Sequence, residues 1–212
     1  MDQITIAIPK GRNLKPSVEL FKSIGLDGSP IIEDTRRLLF DLPDKNVKFL
    51  VIRDTDIPTY VEYGAADMGV SGKDVLSEQG MDLYEPLDLK FGFCRMVLAE
   101  PKELRAKDDP SKWTHIRVAT KFPRITENYF SNKGVQVEII KLYGSIELAP
   151  LVGLSERIVD LVSTGRTLKE NGLLEVEEIM KVTARLIVNR ASLKTKYERI
   201  NKIIEELRKQ IK

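Results

Sequence analysis

An apolar run from Ile158 to Val162, broken only by Asp160, leads straight into Ser163-Thr164-Gly165-Arg166-Thr167 and then a short polar segment of helical character through Asn171. A strand that empties into a turn rich in glycine and hydroxyls at a helix start is how open α/β sheets build anion sites. Gly165 allows a turn that points successive backbone N–H groups inward, and Ser163, Thr164 and Thr167 add hydroxyl donors. The helix start adds a partial positive charge. Asp160, four residues before Thr164, is placed to reach a sugar hydroxyl while the turn holds the sugar's phosphate. The same residues also read as a plain strand, a Ser/Thr/Gly turn and a capped helix, so the surrounding pattern has to separate the two.

That pattern begins at the N-terminus. A strand from Ile4 to Ile8 ends at Pro9, and Lys10-Gly11-Arg12-Asn13 precedes an amphipathic helix with Leu14, Val18, Phe21 and Ile24 on one face and Gly25 at its end. Two cations thus stand beyond the carboxyl end of a strand, where such sheets bind ligands. Short strands are expected at Ile31-Ile32 and from Arg37 to Leu42, then a buried strand from Val47 to Ile52. Arg53-Asp54-Thr55-Asp56-Ile57-Pro58 reads as a loop entering a helix, with Asp56 as its cap and Gly64 as its end. A strand from Ala66 to Val70 leads into Ser71-Gly72-Lys73-Asp74 and another helix. Strands alternating with helices at this spacing imply a mainly parallel, helix-covered sheet.

A second unit follows. Phe93 to Ala99 is a strand, and Glu100 to Ser111, charged and containing Pro101 and Pro110, reads as a surface connection. A strand from Ile116 to Thr120 ends at Lys121, which repeats the placement of Lys10. A helix over Ile125 to Asn132, a strand from Val135 to Leu142 and a short helix from Ile146 to Ala149 precede the Asp160 stretch. Glu175 to Asn189 alternates as one long strand returning to the first lobe. Ser192 to Lys212 has helical spacing with one apolar face. The expected lobes are residues 1–90 with 180–212, and 91–179, facing each other across a cationic cleft. No internal repeat is visible in the sequence.

Composition removes several classes. With 42% hydrophobic and 31% charged residues the chain is an ordinary globular protein. Its 34 basic and 32 acidic residues leave a net charge of +2, with no field for gripping nucleic acid. The single cysteine, Cys94, excludes an internal disulfide, and the single histidine, His115, excludes His-rich zinc sites. Both read as packing residues. No leader precedes the first strand and no apolar run approaches the roughly eighteen residues of a membrane span, so the expected location is the cytoplasm, with no membrane partner.

From Glu147 the fixed positions are Gly153, Ser155, Ile158, Asp160-Leu161, Thr164-Gly165 and Thr167-Leu168. This spacing resembles the signature of the ATP phosphoribosyltransferase family, with every fixed position present. The resemblance extends to Pro9-Lys10-Gly11-Arg12, Arg53-Asp54-x-Asp56-Ile57-Pro58, Asp67-Met68-Gly69-Val70-x-Gly72, Cys94-Arg95, Ala119-Thr120-Lys121-Phe122-Pro123 and Asn171-Gly172-Leu173. It implies an α/β, two-lobed, type II periplasmic-binding-protein-like fold with a mainly parallel sheet in each lobe and the active site in the cleft. It implies transfer of phosphoribosyl from phosphoribosyl pyrophosphate to N1 of ATP, the first step of histidine biosynthesis.

On that resemblance the catalytic candidates are Lys10, Arg12 and Asp160. The substrate-binding candidates are Arg53, Arg95, Lys121, Glu147, Leu161, Val162, Ser163, Thr164, Gly165, Arg166 and Thr167. Glu147 reads equally as a ribose contact and as a helix cap. Magnesium is expected on substrate phosphates, with no protein metal site. Adenine N1 carries its own lone pair, so the absence of a Cys-His or Ser-His pair is no obstacle. The chain length resembles the short form of the family, which works in an oligomer with a regulatory subunit similar to histidyl-tRNA synthetase. The rivals are a non-enzymatic, two-lobed small-anion binder and a phosphoribosyltransferase of the more common fold. That second family carries two adjacent acids, whereas Val159 precedes Asp160 here.

Overall fold

Strand β1 (Ile4–Pro9) is apolar and buried along nearly its whole length, as a strand must be at the centre of a sheet covered on both faces. The computed structural model describes residues 3–33, 36–105, 107, 109 and 112–211. The chain forms two units, Met1–Gly92 with Thr183–Lys212, and Phe93–Val182.

The first unit continues through α1 (Leu14–Ser23), α2 (Ser29–Glu33), β2 (Leu39–Leu42), a 3-10 turn at Pro43–Lys45, β3 (Val47–Ile52), α3 (Ile57–Glu62), β4 (Met68–Gly72), α4 (Lys73–Gln79) and β5 (Tyr84–Asp88). The second unit comprises β6 (Cys94–Pro101), α5 (Lys102–Arg105), β7 (His115–Thr120), α6 (Pro123–Asn132), β8 (Gln136–Lys141), α7 (Leu148–Leu151), β9 (Arg157–Val162), α8 (Arg166–Glu170) and β10 (Leu173–Val182). The chain then re-enters the first unit as β11 (Ala184–Val188), α9 (Arg190–Thr195) and α10 (Tyr197–Gln210).

Among the described residues the first sheet has the order β2-β3-β1-β4-β11-β5 and the second β10-β6-β9-β7-β8. Parallel pairs join β3, β1 and β4 in the first, and β8, β7 and β9 in the second. Antiparallel pairs extend each: β4 with β11 and β11 with β5 in the first, β9 with β6 and β6 with β10 in the second, and β3 with β2 on the first sheet's edge.

In the first unit Phe21 of α1 and Ile200, Ile203, Ile204 and Leu207 of α10 pack with Ile6, Phe49 and Met68 of the sheet. The four α10 residues recur at helical spacing, and each buried aliphatic side chain contributes about 1.5–3 kcal/mol. On the other face Ile57 and Val61 of α3 pack on Ala7 and Ile187. Gly69 permits that approach, since a Cβ there would lie 2.6 Å from Ile57 Cγ2. In the second unit α6 covers Met96, Leu98, Val118 and Val159, while Ala149 of α7 and Leu168 of α8 cover Val97, Ala119, Ile158 and Val162.

Several local expectations change. Ile31-Ile32 is helical, not a strand. Two apolar residues carry no period, and Pro30 in a first turn favours the helix. The long strand of Glu175 to Asn189 is two strands in different sheets, β10 paired with β6 and β11 with β4. Alternation reports which face is buried, not which sheet is joined. The terminal helix breaks at Lys196, whose ammonium reaches the Asp67 carboxylate at 2.9 and 3.0 Å and the Gln3 carbonyl at 2.8 Å. Asp56 precedes α3 but makes no side-chain cap bond.

The expected surface connection begins inside the fold. Glu100 belongs to β6, is fully buried, and accepts a 2.9 Å bond from the buried Arg157, whose guanidinium lies 4.0 Å from the Trp113 ring centre. Pro110 and Ser111, at its far end, lie outside the described residues. Cys94 is buried as expected, whereas His115 is exposed at the start of β7.

Candidate active site

In the second unit the parallel order β8-β7-β9 changes direction at β7, so the carboxyl ends of β7 and β9 are where a ligand fits. At the end of β9 the chain turns at once through Ser163-Thr164-Gly165 into α8. Gly165 adopts the left-handed conformation, with φ +74°, which a side chain at that position would resist. Thr164 Oγ1 accepts from the Arg166 amide at 3.4 Å, so the residue that follows the glycine is drawn back over the turn. The result is a cavity of about 230 Å³ lined by Glu147, Asp160 and the run Leu161, Val162, Ser163, Thr164, Gly165, Arg166, Thr167 and Leu168. That is smaller than the roughly 300–1,000 Å³ of sites that enclose a drug-sized ligand.

Asp160 is half-buried on β9, and one carboxylate oxygen accepts from the Leu161 amide at 2.8 Å. Burial pushes its pKa up from the ordinary carboxylate value, and the nearby Glu147 carboxylate adds to the rise. The Leu161 amide and the Lys121 ammonium act against it. Lys121, the residue after β7, is therefore close enough to be felt at Asp160. Glu147 precedes α7 without capping it, and its side chain shares the cavity with Asp160 instead.

Arg95 stands elsewhere. It lies on β6 opposite Val162, does not line the cavity, and binds the Glu175 carboxylate through two bonds of 2.8 and 3.0 Å. Arg166 is extended along α8, paired with Glu170 at 2.7 Å.

The first unit repeats the change of direction, at β1 in the order β3-β1-β4. The residues past the three carboxyl ends are Lys10 to Arg12, Arg53 with Asp54, and Lys73 with Asp74. The Lys10 amide bonds the Ile52 carbonyl at 2.8 Å, tying the first two loops together while the Lys10 and Arg53 side chains remain exposed. Asp74 is buried, and that burial raises its pKa; Asp54 raises it further and Arg12 lowers it. Asp74 and Glu175 are polar groups beside these residues that sequence reading did not single out. Asp74 was signalled by Ser71-Gly72-Lys73-Asp74 at a strand's end, whereas nothing in the alternating segment around Glu175 singled it out.

Residues 53–209 match the family described as ATP phosphoribosyltransferase. The ATP phosphoribosyltransferase of Citrifermentans bemidjiense is 65% identical over 210 residues, covering 99% of this chain and 99% of that protein. The chain belongs to the ATP phosphoribosyltransferase family. It is thus an enzyme of the first step of histidine biosynthesis, transferring phosphoribosyl from phosphoribosyl pyrophosphate to N1 of ATP with release of pyrophosphate. Membership of this family sets aside both the non-enzymatic anion binder and the phosphoribosyltransferase of the more common fold.

Among solved structures, the ATP phosphoribosyl transferase (HisG:HisZ) complex from Thermotoga maritima contains a chain 38% identical to this one. Its TM-score is 0.83, and the match covers 99% of this chain and 98% of that one. A structure of Tv2483 bound to L-arginine is 13% identical with a TM-score of 0.62, covering 98% of this chain and 84% of that one, and shares the fold alone. The class is α/β and two-lobed, of the type II periplasmic-binding-protein-like kind, with a parallel core in each sheet.

Proposed function

We propose that the Ser163–Thr167 turn binds the 5-phosphate of phosphoribosyl pyrophosphate through backbone N–H groups and hydroxyls, and that Asp160 accepts from the ribose hydroxyls. One observation carries this reading: Asp160 and the whole turn line one small cavity past the carboxyl end of β9. Glu147 joins Asp160 at the ribose. Lys121 balances their charge. Lys10 and Arg12 hold the pyrophosphate or the ATP phosphates, and Arg53 adds a nucleotide contact from the same end of the first sheet.

The chemistry needs no protein nucleophile, because adenine N1 attacks C1 of the ribose as pyrophosphate leaves. Holding the two substrates in line accounts for much of the rate, an effect that reaches roughly 7–11 kcal/mol in favourable cases. Cations at the leaving group supply charge stabilisation where negative charge builds.

Members of the family use a divalent cation. Among the described residues no group of three or more His, Cys, Asp and Glu side chains is arranged to hold a metal. The carboxylates of Asp160 and Glu147 beside a phosphate turn suit an ion ligated mainly by substrate oxygens, as magnesium prefers, and it would neutralise the departing pyrophosphate.

The Thermotoga maritima HisG:HisZ complex supports assembly of this chain with a regulatory subunit similar to histidyl-tRNA synthetase. On this reading histidine control resides in that subunit. A cytoplasmic location fits a biosynthetic enzyme in which, among the described residues, no helix is long and apolar enough to cross a membrane.

The test is pyrophosphate release from ATP and phosphoribosyl pyrophosphate by the wild-type chain and by Asp160→Ala and Lys10→Ala. Near-normal turnover in both variants would rule out the assigned roles. Calorimetric titration of the purified chain with histidine tests the division of labour, and tight binding would contradict it.

A further inference from the structure

Strand β10 is longer than its partner needs. Its register against β6 runs Glu175 to Ala99, Glu177 to Leu98, Glu178 to Val97, Met180 to Met96 and Lys181 to Arg95, so Val176 and Ile179 are extra residues. Each extra residue is a β-bulge, a device that re-aims side chains. The first bulge matters here. Without it Glu178 would fall opposite Met96, on the face covered by α6; with it Glu178 falls opposite Val97. Paired residues of neighbouring strands share a face, so Glu175, Glu178, Arg95 and Asp160, which is opposite Val97 on β9, are all on one face of the sheet.

On that face the Arg95 guanidinium is gripped by Glu175 at 2.8 and 3.0 Å, with Glu178 at 3.6 Å. The gripped Glu175 carboxylate also stands against the turn, since a Cβ on Gly165 would lie 3.3 Å from Glu175 Oε1. Neither Arg95 nor Glu175 lines the cavity. The pair therefore meets the turn from outside the cavity lining.

We infer that Glu175 is a positioning residue of the phosphate turn: held by Arg95, its carboxylate buttresses Gly165 and fixes the direction of the turn's amides. The inference rests on the reading of Ser163–Thr167 as the 5-phosphate site. It also changes the part of Arg95, which acts through Glu175 and Gly165 and not on the nucleotide. A bidentate arginine leaves a carboxylate little freedom to retreat, which makes the buttress stiff.

Steady-state kinetics of the full chain test it, with each substrate varied in turn and thermal melts confirming folding. Glu175→Gln keeps the side chain's size and is expected to raise KM for phosphoribosyl pyrophosphate about ten-fold while KM for ATP moves less than about two-fold. Gly165→Ala combined with Glu175→Ala should lose less than the product of the two single losses, because the collision partner is gone. An ion pair that merely joins β10 to β6 would lower the melting temperature and leave both KM values in place, and that result overturns the inference. Thr167→Val separates the levels. If it raises KM for phosphoribosyl pyrophosphate and Glu175→Gln does not, the buttress fails and the turn stands; if neither does, the phosphate site itself is misassigned.

Discussion

The two units are built on one plan and finished differently. Each has a parallel triplet in which the first strand lies between the second and third, β3-β1-β4 and β8-β7-β9, followed by two more strands joined through antiparallel pairings, β11-β5 and β6-β10. The fourth place in each sheet is filled by exchange, since β6 leaves the first unit and β11 returns to it. The plan therefore repeats although the sequence does not. At the carboxyl ends of the first triplet stand the cations Lys10, Arg12 and Arg53, set among Asp54 and Asp74. At the end of β9 the cavity is lined mostly by the turn, with its amides and hydroxyls; Arg95 and Arg166 beside it are paired with Glu175 and Glu170, and Lys121 after β7 is felt at Asp160. Charge recognition tolerates loose geometry and many charge states. Amide recognition demands one shape, a terminal phosphate at the end of a defined turn. On the proposed reading one scaffold supplies a long-range attraction in one unit and a register in the other.

The most drastic way to break the comparison is to remove one frame. Glu100→Ala would remove the carboxylate that accepts from Arg157 at 2.9 Å and that Arg105 approaches at 3.4 Å, inside the second unit, where Glu100 is fully buried and Arg157 nearly so. Removing one partner of a buried ion pair costs about 3–5 kcal/mol, so denaturant unfolding should report a loss of that size. Exchange of both residues for apolar ones of similar volume should recover most of it. A cost no greater than that of a surface pair would mean Arg157 finds water or another acceptor.

Next in size is Asp160→Ala, expected on the proposed reading to lower kcat/KM by about 100-fold with the fold intact, because the ribose loses its orienting carboxylate while the turn remains. Lys10→Ala and Arg12→Ala should each cost about ten-fold. Salt makes the contrast sharper. Exposed cations are screened over a Debye length of about 8 Å at physiological ionic strength, whereas amides in a turn are not. Raising salt should therefore erode the difference between wild type and Lys10→Ala, and leave the deficit of Thr167→Val in place. Equal salt dependence in both would erase the distinction between the units.

How much of this was legible in the sequence follows the same line. Features set by a short run of neighbours were readable: the turn after β9, the cations after β1 and β3, and the buried parallel strands, because local chemistry and burial on both faces leave their mark on consecutive residues. Features set by partners far along the chain were not. Glu175 and Arg95 are eighty residues apart, and the bulges that bring Glu178 round exist only in the pairing of β10 with β6. Glu100 looked like the start of a charged connection because nothing local announces Arg157. Lys196, at the break, is bonded to Asp67, a partner again out of reach of helical periodicity.

The smallest expected effect is a shift in a pH profile, and it tests whether Asp160 and Glu147 form one site. Burial holds the Asp160 pKa above the ordinary carboxylate value, and Glu147 raises it further. If the ionised form accepts from the ribose, kcat/KM falls as pH falls through that raised value, so the acid limb lies higher than an ordinary aspartate would give. Stability runs the opposite way. A carboxyl whose pKa is raised on folding binds its proton more tightly in the folded chain, so its contribution is complete below the unfolded value and is lost as pH rises through the folded one. Activity therefore appears over the window in which this group's contribution to stability disappears, and Asp160→Asn should flatten both. Glu147→Gln removes a neighbouring negative charge and should move the acid limb down. Lys121→Met removes the opposing positive charge and should move it up. Shifts in the reverse directions, or none, would mean that the limb belongs to another group and that Asp160 meets the ribose, if at all, without its charge.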